Sequence, residues 1–254
     1  EMDYYFMAGG YPNVMKTYAA LTGPTPLLPR YAFGYVQSKE RYKDAQELVS
    51  VVKEYRQRQV PLDMIVLDWR SWPGALWGFK IFDPARFPDP GAITEKLHQL
   101  GAKMMISIWP SMQGDANENR AEMLANDCML GNGTIYNAFD SKARELYWKQ
   151  AYEGLFRYGV DAWWCDCSEP FESDWHGRIK PEPFERVRLN TEESKKYLDP
   201  AQINLYSLYH AQGIYQGQRG VTDRKRVVNL TRSSYAGQHR YATIVWSGDV
   251  SSSW

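Results

Sequence analysis

The sequence predicts an α/β fold, about the first six units of a (β/α)8 TIM barrel that is incomplete within this chain. Two observations lead there. Apolar runs of strand length alternate with amphipathic stretches of helical period, the pattern of a parallel sheet covered by helices. Each run from the second to the sixth is also followed by a polar or aromatic residue, namely Asp68, Trp109, Asp166, Arg232 and Asp249. In a (β/α) barrel the C-terminal ends of all strands share the face that carries the active site, so these positions are expected to converge. A doubly wound sheet, in which strand order reverses midway, is the competing arrangement.

The elements follow in order. Tyr31 to Val36 is read as the first strand, and "KDAQELVSVVKEYRQR" as a helix whose stripe is Ala45, Leu48, Val49, Val52 and Tyr55. Met64 to Leu67 is the second strand, followed by a helix near Ile93 to Leu100; Met104 to Ile108 is the third. Asp140 is placed as N-cap of a helix with Ala143, Leu146, Tyr147, Ala151 and Leu155 on one face and Gly159 as its stop. Ala162 to Cys165 is the fourth strand, running into Asp166. A polar, proline-bearing insertion over about 171–198 is long enough to be a functional loop. Asp199-Pro200 is a good N-cap and N1 pair for a helix reaching about Gly217. Val227 to Leu230 and Thr243 to Trp246 complete the strands.

Composition excludes several classes. Lysine plus arginine and aspartate plus glutamate each total 30, so no one-sided field would hold nucleic acid or an anionic membrane. No apolar run approaches the roughly 20 residues of a membrane span. Cys128, Cys165 and Cys167 are too few for a disulfide framework and poorly spaced for zinc. In strand register Cys165 and Cys167 would point away from the face used by Asp166, which makes both free thiols packed under helices. The histidines (His98, His176, His210, His239) fall in helices or loops and none directly ends a strand, which weighs against a metal-assisted hydrolase. "AGGY" at Ala8 is no phosphate-binding loop. No cofactor is expected. Most of the ten tryptophans suit a core, although flat rings at a rim would also suit the apolar faces of sugars.

Two aspartates facing each other across a cavity can divide acid and base roles if their environments separate their pKa values. Asp166, placed near Arg232 by the barrel, is expected to stay ionised, whereas Asp249 in "WSGDVSSSW" is expected to hold its proton at a more apolar rim. An ionised and a neutral carboxyl are the pair glycoside hydrolysis requires. Glu169 is the rival for either role, with positioning of a neighbouring group as its simpler reading.

"WWCDCSEP", "TRSSYAGQHRY" and "WSGDVSSSW", in this order and after "VPLDMIVLDW", resemble the retaining α-glycosidases of glycoside hydrolase family 31. The resemblance implies Asp166 as nucleophile and Asp249 as general acid/base, about 5–5.5 Å apart as retention demands. It also implies Asp68 as an acceptor for sugar hydroxyls, Arg232 beside the nucleophile, and Trp109 and Trp246 as aromatic walls, with an oligosaccharide as substrate and no metal. Residues 1–30 look like the exit of an N-terminal β-sandwich leading into the barrel, and 31–254 like the partial barrel itself.

The family's frequent Met-Asn-Glu after the nucleophile is Cys-Ser-Glu here. "GYVQSKERYKDAQELVSVVKEYR" and the insertion look most like the bacterial α-xylosidase branch, with α-glucosidase and α-galactosidase as alternatives on the same scaffold. The chain stops at Trp254, before two further strands and a histidine the family usually places there. The isolated piece is therefore expected to be impaired or inactive, and a non-catalytic sugar-binding relative is the alternative of another class.

Overall fold

A computed structural model describes residues 3–170 and 183–248. Its framework is one sheet of six strands, β1 (Val36–Gln37), β2 (Met64–Leu67), β3 (Lys103–Ile108), β4 (Ala162–Cys165), β5 (Asn229–Thr231) and β6 (Thr243–Val245). The order is sequential from β1 to β6 and every neighbouring pair is parallel. Sequential parallel pairing is barrel topology; in a doubly wound sheet the order would reverse.

Helices α1 (Tyr11–Thr22), α2 (Ala45–Gln57), α3 (Pro90–Gln99), α4 (Glu118–Ala125), α5 (Ser141–Gly154), α6 (Pro183–Ser194) and α7 (Tyr206–Val221) join and cover the strands. Their starts are written locally. Asp44, Asp89, Asn117 and Asp140 each accept a bond from a first-turn N–H, satisfying donors the helix leaves unpaired. The α2 stripe is buried as its period requires, with Leu48 and Val52 inside and Ala45, Val49 and Tyr55 packed against them. Gly159 ends the α5 unit in the left-handed conformation at φ 100, after a 3-10 turn at Phe156–Tyr158. Close packing of α7 on α5 needs Gly217, because a Cβ there would lie 2.1 Å from Trp148 Cγ.

Two apolar layers sandwich the sheet, as parallel strands demand. On the helix side lie Ile65, Leu67, Met104, Ile106, Ile108, Trp163 and Cys165. On the other side Met64, Val66, Met105, Ala162 and Val228 fill the barrel interior, with Val36, Trp164, Leu230 and Ile244 packed on them. At the N-terminal strand ends, buried Asp161 ties elements together: its Oδ2 lies 2.6 Å from His98 Nε2 and accepts from Met104 N at 3.0 Å, and its Oδ1 is 2.9 Å from Lys225 Nζ.

Four expectations are corrected. Tyr31 to Val36 is not one strand: Arg30–Phe33 is a 3-10 turn, and pairing begins only at Val36. The Asp63 carboxylate is responsible, since it accepts from Tyr35 N at 3.1 Å and lies where any Cβ on Gly34 would fall. The fifth strand starts at Asn229, two residues later than expected. The insertion is not all loop, because α6 occupies Pro183–Ser194; residues 171–182 lie outside the described residues. Asp199 does cap a turn, accepting from Ala201 N at 2.9 Å, but the chain passes through a 3-10 turn at Ile203–Leu205 before α7 begins.

Lys80, in the long β2–α3 connection, is buried, and its ammonium has neutral partners: Gln150 Oε1 at 3.2 Å, Met112 Sδ at 3.3 Å and the Tyr147 ring at 4.0 Å. Burial pushes its pKa down to about 7. A base lowered by folding costs stability in full below pH 7, and the cost fades as pH rises towards the unfolded value near 10.5. Lys80→Met, which keeps the stem, should therefore raise Tm by several degrees at pH 6 (about 2–4 °C per kcal/mol at this chain length) and by little at pH 10. Calorimetry at the two pH values measures the difference.

Candidate active site

Side chains alternate across the sheet with period two, and the inward phase on each strand leads to its C-terminal end. Met64 and Val66 lead to Asp68, Met105 and Ser107 to Trp109, Ala162 and Trp164 to Asp166, Leu230 to Arg232, and Ile244 to Trp246. The ladder Met105↔Ala162 and Ile108↔Cys165, carried one pair further, sets Trp109 level with Asp166. Thr231↔Val245, carried likewise, sets Arg232 level with Trp246. Backbone bonds from Asp166 N to Ile108 O and from Trp246 N to Thr231 O, at 3.2 and 3.1 Å, extend the pairing to these residues. Asp68, Trp109, Asp166, Arg232 and Trp246 thus share one end of the barrel. Asp249 lies outside the described residues.

The turn after β4 builds the centre. Asp166 Oδ1 accepts from Cys167 N at 2.8 Å, and Cys167 takes a left-handed conformation, φ 50, that reverses the chain. The buried Ser168 hydroxyl is 2.8 Å from both Thr231 Oγ1 and Ser233 Oγ, pinning the turn to the end of β5. Glu169 grips Arg232 with both oxygens, from Nε to Oε1 at 2.9 Å and from Nη2 to Oε2 at 3.2 Å, the two-pronged geometry that suits a guanidinium. Arg232 Nε also stands 3.6 Å from Asp166 Oδ1.

The Asp166 carboxyl does not have the low pKa that a neighbouring arginine alone would give. Burial raises it to about 7; Arg232 and the Cys167 N–H oppose this, and the charges of Glu169 and Asp68 add to it. The expected ionised aspartate is thus poised near neutrality instead. Burial outweighs Arg232, which stands nearer to Glu169 (2.9 Å) than to Asp166 (3.6 Å).

Trp109 is buried, with its Nε1 donating to Ser107 Oγ at 3.2 Å and its carbonyl accepting from Tyr147 Oη at 2.8 Å. It belongs to a tryptophan wall that was not anticipated from the sequence. Trp77 meets it edge-on at 4.7 Å between ring centroids, and Trp69 and Trp72 lie 5.3 and 5.7 Å from Trp77. The density of tryptophan in "DWRSWPGALW" after the second strand was the available signal. Trp246 packs on Trp164 at 4.7 Å. Asp68 Oδ1 accepts from Trp69 N at 2.7 Å.

Cys167 departs from the face that strand register predicts. Strand register puts it beneath a helix, but its left-handed backbone turns it towards the site, where it packs with Trp72 and Trp109 while Cys165 stays in the helix-side core. Among the described residues no group of His, Cys, Asp and Glu is arranged to hold a metal ion, and no helix is long and apolar enough to cross a membrane.

Residues 25–254 match the family model for the Glycosyl hydrolases family 31 TIM-barrel domain. The chain is 43% identical over its whole length to an alpha-xylosidase of Saccharolobus solfataricus, covering 34% of that protein, and 30% identical to Alpha-xylosidase A of Aspergillus niger, covering 38% of it. The crystal structure of a GH31 alpha-xylosidase from Xanthomonas citri superposes with a TM-score of 0.84 at 37% identity, over 96% of this chain and 27% of that one. The chain thus spans about a third of the length of the curated relatives it matches.

A carboxyl whose pKa is raised by folding costs stability once it ionises. For Asp166 the cost is absent below the unfolded value near 3.8, grows as pH rises, and is complete above about 7. Asp166→Asn should therefore melt several degrees higher than the parent at pH 8 and nearly with it at pH 4, as read from paired thermal scans.

Proposed function

The chain belongs to glycoside hydrolase family 31, and from that premise we propose that the protein carrying it is a retaining α-glycosidase that releases terminal α-linked xylose from oligosaccharides. The observation that carries the proposal is the β4 end, where Asp166 follows directly on the strand, beside Arg232, and its neighbour Cys167 packs with Trp72 and Trp109. The names of its relatives, α-xylosidases at 43% and 37% identity, support xylose as the sugar.

In the proposed reaction the ionised Asp166 carboxylate attacks the anomeric carbon while Asp249 gives its proton to the departing oxygen. The bond formed is to the β face of the sugar. Asp249 then takes a proton from water, which attacks the same carbon from the α face and releases Asp166, so two inversions give net retention. Arg232 favours the charged nucleophile, and burial in the same turn keeps that charge weakly solvated and reactive. Asp68 accepts hydrogen bonds from sugar hydroxyls, and Trp109 and Trp246 offer flat faces to the ring's C–H surfaces.

Three measurements on the complete enzyme test this. Aryl α-xyloside should be turned over with higher kcat/KM than the α-glucoside or α-galactoside; a preference for either of those would reassign the sugar and leave the reaction class intact. Asp68→Ala should lower kcat/KM by on the order of 10²-fold, since its contacts strengthen in the transition state. Azide separates the two aspartates: Asp249→Ala should yield the α-glycosyl azide, by displacement from the β-linked enzyme, and Asp166→Ala the β-anomer, by direct attack on the substrate. Exchange of these products would reverse the assignment.

A further inference from the structure

We propose that Cys167 is a positioning residue: its sulfur, acting with Glu169, holds the Arg232 guanidinium so that the Nε edge faces Asp166. Three observations carry this. Arg232 Nη2 donates to Cys167 Sγ at 2.9 Å, and the same nitrogen donates to Glu169 Oε2 at 3.2 Å, so the two acceptors share its two hydrogens. The contact exists only because Cys167 leaves strand geometry at φ 50; an extended residue there would turn its side chain to the helix side, where Cys165 lies. Cys167 is also fully buried against Trp72 and Trp109, which fixes the sulfur itself.

The Glu169 pair fixes the guanidinium along the line joining the two groups and resists rotation about that line least. The Cys167 sulfur adds a contact on the Nη2 edge that opposes such rotation. Here that rotation decides how far Nε stands from Asp166, a contact of 3.6 Å that has room to lengthen. Asp166, Cys167 and Glu169 belong to one short turn, so a single local fold places the reactive carboxyl, the cation's clamp and the edge that sets its angle.

The test follows the titration of Asp166 by carbon-13 NMR of aspartate-labelled chain, its signal assigned by loss in Asp166→Asn. Removing the sulfur should let Arg232 swing onto Glu169 and away from Asp166. The midpoint should then rise by about half a pH unit or more in Cys167→Ala. Cys167→Gly, which suits the left-handed backbone and guards against failure of the alanine variant to fold, should show the same rise. Cys167→Ser, which keeps an acceptor, should recover most of the parent value. A folded Ala or Gly variant whose midpoint is unmoved or lower overturns the proposal, as does a serine variant indistinguishable from alanine.

A kinetic arm rests on the reading of Asp166 as nucleophile. In the complete enzyme the acid limb of kcat/KM should shift with the NMR midpoint, lowering activity at pH 6 about three-fold or more. An NMR midpoint that moves without the kinetic limb supports the role of Cys167 and counts against Asp166 as nucleophile, so the two failures are distinguishable.

Discussion

The site depends on one constraint, the phase of side-chain alternation in a parallel sheet buried on both faces. A slip of one residue would exchange the inward set for the helix-facing set and move every apolar side chain to the wrong layer. Apolar packing on both sides therefore locks each strand in register, as Met64 and Val66 do on the inner layer and Ile65 and Leu67 on the outer. The candidate site residues continue the inner phase beyond the last ladder pair. Their convergence is thus a by-product of core packing two to four residues below them.

On that platform the electrostatics are crowded by design of the turn. The charges of Asp68 and Glu169 both act on Asp166, and burial strengthens that repulsion. Glu169 takes the strong, two-pronged contact and Asp166 the longer one. That division leaves the Asp166 carboxyl less fully neutralised than the Glu169 carboxylate. Glu169, named from the sequence as a rival catalyst, has its geometry taken up by the cation.

What could be read from the sequence was what local pattern dictates. Met64–Leu67 and Ala162–Cys165 were assigned to the residue, since continuous apolar runs between polar ends have one reading in an alternating chain. The α2 stripe and the Asp140 cap were legible for the same reason, whereas α5 ends at Gly154 and Gly159 closes the 3-10 turn that follows it. What escaped was set by contacts distant in sequence or by backbone conformation. Asp63 capturing Tyr35 N shortens β1 from outside it, and no period in 31–36 records that. The tryptophan wall was visible as composition, but its role depends on Trp77 reaching Trp109 across a long connection.

Cys167 marks the boundary between these two kinds of information most sharply. Its neighbours Cys165 and Asp166 obey the strand's alternation, whereas Cys167 takes the face opposite to the one that alternation predicts. The alternation fails at the first residue where the chain must turn, and left-handed backbone at a non-glycine position costs free energy that surrounding contacts have to offset. Those contacts are all present: the Cys167 N–H on Asp166, the Ser168 hydroxyl on β5, and the Glu169 clamp on Arg232. The strained residue therefore sits where strand order gives way to site chemistry, and the same hydrogen bonds that hold its backbone also orient the charged groups around it.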